Sequence, residues 1–150
     1  MQSRGDVGAN EGRRRVLVVN DTQEILELFR DIIEPMGHEM IPMSYAPDDL
    51  AKVTAVKPDL AIVDFVMGGQ EFRGWQLVQK LKMSRETRDI PLVICTGAKR
   101  EVFEQEGWLT EKNIGLVLKP FDIEDLERAI RKALSNAEIQ ARRAEDASDA

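Results

Sequence analysis

Four short apolar runs punctuate the chain: VLVV at 16–19, LAIV at 60–63, LVIC at 92–95 and LVL at 116–118. Each is rich in β-branched residues, unbroken, and bounded by polar or turn-forming neighbours. Continuous apolar character is what a strand shows when both its faces are covered; a half-exposed strand alternates instead. A fifth run, EMIPM at 39–43, is more polar and contains Pro42. Proline withholds a ladder donor, so this strand belongs at a sheet edge. Between the runs the period changes. In 22–36, Ile25, Phe29, Ile32 and Met36 recur at helical spacing, with Leu28 and Ile33 beside them. Residues 47–56 predict a short helix with Pro47 in its first turn, where the missing N–H costs nothing. Leu77, Val78 and Leu81 mark a helix over 75–83, and Val102, Phe103 and Leu109 a less regular one over 99–112, interrupted by Gly107. Ile123, Leu126, Ile130 and Leu134 mark a strong one over 122–134, with acidic residues in the first turn, where the helix dipole favours them.

Strand–helix alternation repeated five times predicts an α/β fold with a parallel sheet. Right-handed crossovers put helices on both faces. With the Pro42 strand at an edge, the expected architecture is a flavodoxin-like (βα)5 three-layer sandwich of strand order 2-1-3-4-5. Residues 1–15 have almost nothing to bury and read as a disordered arm, 16–134 as one domain, and 135–150 as a charged tail. Ala137 and Ala141 continue a face of the preceding helix, so the tail is a candidate extension of it. No second hydrophobic unit follows, so no output domain is expected.

A length of 150 residues suits one core, and 43% hydrophobic with 32% charged residues is a globular balance rather than a disordered one. The formal net charge of −6 argues against nucleic acid as a partner, because phosphate neutralisation wants clustered positive charge. One cysteine, Cys95, excludes an internal disulfide; it lies inside an apolar run and reads as a small core residue. The apolar runs fall far short of the roughly 20 residues that span a bilayer, and residues 1–15 lack the apolar stretch of a secretory signal. The expectation is a soluble cytoplasmic protein with no membrane partner. Neither GxGxxG nor GxxxxGK[ST] is present, so nucleotide cradles of those kinds are excluded. The lone histidine, His38, reads as structural, and Trp75 and Trp108 as packing residues.

In an open parallel sheet, ligands bind beyond the carboxyl ends of the strands. The residues that end the runs are therefore the informative ones: Asn20 and Asp21 after the first, Asp64 after the third, Thr96 after the fourth and Lys119 after the fifth. Singly, most have a plain reading. Asp21 could cap a helix with Glu24 completing a capping box, Thr96 before Gly97 could be a turn residue, and Lys119 could be a surface lysine. An acid directly after LAIV has little structural work to do, and the order 2-1-3-4-5 brings all these positions to one crevice. Two neighbouring carboxylates repel and gain from a divalent cation. Oxygen ligands favour Mg2+, and an ammonium with a hydroxyl would complete a shell for a phosphoryl group. A carboxylate can itself be the nucleophile that accepts it.

VLVVND, DLAIVDFVM, LVICTGA and VLKPF resemble, in order and spacing, the motifs of response-regulator receiver (CheY-like) domains, over about residues 15–134. The resemblance implies a stand-alone receiver of a two-component phosphorelay. Asp64 would accept the phosphoryl group from a sensor histidine kinase or phosphotransfer protein, and the domain would signal by binding a downstream protein. It implies a signalling domain that catalyses only its own phosphoryl transfer. Mg2+ would be held by Asp21, Asp64 and the backbone carbonyl of Val66, with Asn20 acting through a water. Thr96 would hydrogen-bond the acyl phosphate and Lys119 would neutralise it; the bond before Pro120 is commonly cis in the family, and Gly97 matches a position kept small for the phosphoryl group. Positions flanking the hydrolytic path are Val66 and Ala98.

The departures matter as well. Asn20 replaces one of the family's two adjacent acids, and Leu116 stands where a switch Tyr or Phe is common. The 67–74 loop is two residues longer than usual, has Gly68 for proline, and reads as mobile. Asn20 and Leu116 lean toward an alternative, a phosphorylation-independent interaction module with a weakened acidic pocket. A small Mg2+-dependent phosphatase would want an acid two residues after Asp64, and Val66 is not one.

Overall fold

The computed structural model describes residues 12–44, 49–63, 73–97, 104 and 106–149. In chain order the elements are β1 (Arg15–Val19), α1 (Gln23–Ile33), β2 (Glu39–Met43), α2 (Ala51–Val56), β3 (Leu60–Val63), α3 (Arg73–Met83), β4 (Leu92–Thr96), α4 (Glu106–Glu111), β5 (Gly115–Leu118) and α5 (Ile123–Asp149). The five strands form one sheet of order β2-β1-β3-β4-β5, and every pairing is parallel.

Side-chain alternation within the apolar runs builds the three layers. Val16 and Val18 face one core with Leu26, Phe29 and Ile33 of α1 and Leu126 and Ile130 of α5. Leu17 and Val19 face the other with Val53 of α2, Leu77, Val78 and Leu81 of α3, and Leu109 of α4. Val16 to Val19 are at most 1% exposed although they alternate in direction, as expected of a strand covered on both faces. Each fully buried aliphatic side chain contributes about 1.5–3 kcal/mol, so these two cores dominate the stability. Trp75 and Trp108 meet edge to face at 5.1 Å and pack α3 and α4 on the second core. Cys95 is buried, as its run implies.

Chain chemistry explains the boundaries. The helix expected over 22–36 stops as α-helix at Ile33 and tightens into a 3-10 turn, Glu34–Met36, because Pro35 has no N–H to donate to the preceding turn. Gly37 then takes the left-handed conformation, φ 90°, and its N–H returns to the Glu34 carbonyl at 2.9 Å. Pro42 lies exposed in β2, an outermost strand paired to β1 alone. Helix α2 is shorter than expected; the Asp49 carboxylate accepts the Ala51 N–H at 2.9 Å, and Pro47 lies outside the described residues, as do 98–103 and 105 of the helix expected over 99–112. Residues 1–11 of the N-terminal arm are likewise outside them.

Helix α5 runs on through most of the segment read as a tail. Beyond Leu134 it passes the start of β1, where Arg14 Nη2 lies 2.6 Å from Glu138 Oε1. Both side chains are partly exposed, 32% and 49%, so this pair is worth on the order of 1 kcal/mol or less. It fixes where the helix lies more than it stabilises the fold.

Thr87 is a buried polar residue that closes α3. Its hydroxyl, 0% exposed, donates to the Leu81 carbonyl at 2.7 Å, one of the last-turn carbonyls that a helix leaves without an internal donor. Thr87→Val keeps the shape and removes that donor. The expected loss is about 1–2 kcal/mol, measurable as a lower urea midpoint with unchanged m-value.

Candidate functional site

The carboxyl ends of β1, β3, β4 and β5 lie side by side. In register, Val19 pairs with Val63, Val63 with Ile94, and Thr96 with Leu118. The polar residues that follow the apolar runs are thereby gathered at one end of the sheet.

At the end of β1, Asn20 is only 5% exposed. Its backbone N–H extends the sheet by donating to the Met43 carbonyl at 3.1 Å, and its side-chain Oδ1 accepts the Thr22 N–H at 2.9 Å. This is an Asx-type turn, and it starts α1. The capping box considered for Asp21 and Glu24 is not what forms: the N-cap residue is Thr22, with no side-chain cap bond. Asp21 is thus spared a capping role and stands exposed at the strand end, where its Oδ1 accepts the Thr22 hydroxyl at 3.3 Å. An amide able to hold Thr22 and a carboxylate facing solvent sit on consecutive residues, which sequence periodicity alone did not separate.

At the other side, Thr96 is the last residue of β4, not a turn residue, and it is 0% exposed. Its carbonyl accepts the Lys119 N–H at 3.0 Å, so the two strand ends are tied together. Lys119 is half-buried and its bond to Pro120 is cis. Two residues on, Phe121 meets Phe29 of α1 edge to face at 6.1 Å, which anchors the segment after β5 to the helix after β1. A methyl group placed on Gly97 would lie 3.8 Å from Lys119 Cβ, an ordinary contact; the described neighbours do not demand glycine there. Leu116 in edge strand β5 is 38% exposed, an aliphatic residue where related receivers commonly carry an aromatic one.

Asp64 and Val66 lie outside the described residues, as do Ala98 and 67–72 of the loop. Val63, the residue before Asp64, is fully buried between β1 and β4. The strand order places Asn20, Asp21, Thr96 and Lys119, an amide, a carboxylate, a hydroxyl and an ammonium, along one rim of the sheet. Among the described residues no three of His, Cys, Asp and Glu form a metal-binding group. A cleft of about 510 Å3 opens between β5 and α5, lined by Leu116, Asp125, Arg128 and Lys132 among others. It holds none of the strand-end residues, and its chemistry is that of a surface groove.

Residues 16–131 match the response regulator receiver domain family, and the chain belongs to that family. It is 29% identical to the protein PilH of Pseudomonas aeruginosa over 124 residues, covering 81% of this chain and 98% of that protein. It is 31% identical to the heme response regulator HssR of Staphylococcus saprophyticus, covering 82% of this chain but 52% of that protein. Among solved structures, a CheY-like receiver domain protein from Methanospirillum hungatei superposes with a TM-score of 0.72 at 24% identity, over 86% of this chain and 99% of that one. A likeness at that identity supports the flavodoxin-like fold. No helix among the described residues is long and apolar enough to cross a membrane.

Asn20→Ala removes the acceptor of the Thr22 N–H at the start of α1. The expected cost is about 1 kcal/mol, while Asn20→Asp, which keeps an acceptor, costs less; urea denaturation of both variants separates the outcomes.

Proposed function

We propose that this receiver domain is a phosphorylatable signalling module, with Asp64 accepting a phosphoryl group from the phosphohistidine of a sensor histidine kinase or phosphotransfer protein. The observation that carries the reading is the pairing of Thr96 and Lys119 at adjoining strand ends through a 3.0 Å hydrogen bond, beside the strand whose next residue is Asp64. In this reading an Asp64 oxygen attacks phosphorus in line, the bond from phosphorus to the histidine nitrogen breaks, and its electron pair stays on the imidazole. Lys119 offsets charge on the phosphoryl oxygens and Thr96 donates its hydroxyl to one of them.

The donor set suits Mg2+. Asp21 presents an exposed carboxylate at the end of β1, and hard oxygen ligands with retained waters are what this cation takes. Asp21, Asp64 and the Val66 carbonyl would hold it directly, and Asn20 through a water. Bound there, it would neutralise charge between the two carboxylates and the incoming phosphoryl group. The bond from Asn20 Oδ1 to the Thr22 N–H uses one lone pair of a carbonyl that has two, so the water-mediated role is compatible with it. With asparagine in place of a second acid, the cation is held with one negative charge fewer.

The phosphorylated domain would act by binding a downstream protein in the cytoplasm, and neither nucleic acid nor membrane is a proposed partner. A second reading, an interaction module that works without phosphorylation, is favoured by Leu116 in place of a switch aromatic. The discriminating measurement is Mg2+-dependent labelling with a small phosphodonor, read by intact mass. Asp64→Asn should lose the label while circular dichroism and the urea midpoint report an intact fold. Equal labelling of the variant would move the acceptor elsewhere, and no labelling of the wild type at saturating Mg2+ would favour the second reading.

The lifetime of the phosphoryl group gives a further test. Hydrolysis needs a water held in line with phosphorus, and neither Val66 nor Ala98 offers a side-chain hydrogen bond to one. Slow autodephosphorylation is expected, with Val66→Asn accelerating it about tenfold, equal to about 1.4 kcal/mol of barrier. Decay is followed at saturating Mg2+ after removal of the donor; equal rates would show that residue 66 does not govern water access.

A further inference from the structure

The opposite end of the sheet carries a cluster that phosphoryl chemistry does not use. Arg14, immediately before β1, is held three ways. Its backbone N–H donates to His38 Nδ1 at 3.1 Å. Its carbonyl accepts the Glu39 N–H at 2.8 Å. Its guanidinium donates to Glu138 Oε1 of α5 at 2.6 Å. That last bond ties the far part of α5 to the start of β1. Past Leu134, α5 passes over a gap of about 480 Å3 lined by Arg14 and Asp59 on one side and by Leu134, Ala137 and Ala141 on the other. Ala137 and Ala141 are small, and Glu138 and Arg142 complete the lining, so on this side the Arg14–Glu138 bond is a polar tie across an open groove.

We propose that the part of α5 beyond Leu134 is a strap seated on the start of β1 by Arg14, and that protonation of His38 unseats it. An imidazole that accepts an N–H at Nδ1 is neutral and carries its own proton on Nε2. A second proton can go only to Nδ1, where it turns the acceptor into a donor facing the Arg14 N–H. The two donors must separate, and Arg14 moves with its guanidinium. Glu138 then loses the fixed partner that holds α5 over the gap.

The surrounding charges set where this happens. Arg14 and Arg15 approach from β1 and Asp59 from the turn before β3, its carboxylate accepting the Arg15 N–H at 2.8 Å. Glu39, next to His38 in β2, lies 3.4 Å from Arg15 Nε, an ion-pair distance at which no hydrogen bond to that nitrogen is formed. Glu138 and Arg142 come from α5. Burial and then Arg14 hold His38 below its ordinary value of 6.5, while Asp59 acts in the opposite sense. A histidine with a depressed folded value contributes stability that is whole above about pH 6.5 and is lost as the pH falls below it, because the unfolded chain takes up the proton first. The strap is therefore seated at neutral pH and released on acidification.

The test is amide hydrogen exchange by NMR on the full chain, as protection factors corrected for intrinsic rates, between about pH 7.5 and about pH 5.5. Protection over 135–142 should fall by up to about fivefold, the factor that about 1 kcal/mol represents, with a midpoint that follows the His38 ring resonance. His38→Gln keeps an acceptor for the Arg14 N–H and cannot titrate, so its protection should be flat across the range. Glu138→Gln removes the charge of the clamp and should show low protection of 135–142 at both ends. Unchanged protection of 135–142 while His38 titrates, or an equal fall in His38→Gln, would overturn the proposal.

Discussion

A parallel sheet covered on both faces leaves its inner strands only their ends for meeting water, and this constraint organises the molecule. Val16 to Val19, Leu60 to Val63 and Leu92 to Cys95 are all at most 2% exposed, so no polar side chain can be placed along them without leaving a buried group to satisfy. Polar chemistry is pushed to the two rims. At the carboxyl rim it becomes Asn20, Asp21, Thr96 and Lys119; at the amino rim it becomes Arg14, His38, Asp59 and Glu138.

The two rims are held differently. At the carboxyl rim, backbone hydrogen bonds fix the positions: Asn20 to Met43 across β1 and β2, and Lys119 to Thr96 across β4 and β5. At the amino rim a partly exposed ion pair, Arg14 to Glu138, ties the far part of α5 to the start of β1. Among the described residues, the carboxyl rim is tied by backbone pairing and the amino rim carries a side-chain ion pair.

The short β-branched apolar runs made the sheet legible, and the helical spacing between them made both helical layers legible. Pro42 fixed the edge, and with it the strand order. The helix limits were less legible. Pro35 ends α1 by withholding one donor, a local effect that periodicity through Met36 conceals. The length of α5 was only hinted at by Ala137 and Ala141, since alanine has high helix propensity but little apolar area with which to mark a face. At the site, residue types and spacing marked Asn20, Asp21, Thr96 and Lys119, but not the division of labour between Asn20 and Asp21. Asn-x-Thr before a helix was the available signal for the Asx turn, and a carboxylate in the same place offered a competing one.

The proline in β2 has a consequence beyond strand order. Glu39 donates its N–H inward to the Arg14 carbonyl, and successive residues of a strand alternate in direction, so the nitrogen of Pro42 lies on the outward side. The outer rim of β2 thus lacks a donor where an incoming strand would seek one, and exposed Pro42 adds bulk there. A sheet of five parallel strands with an open edge is a template for runaway self-association between copies, and open edges in natural sheets are commonly blunted in this way. The same residue that sets the boundary of the fold also guards its colloidal behaviour.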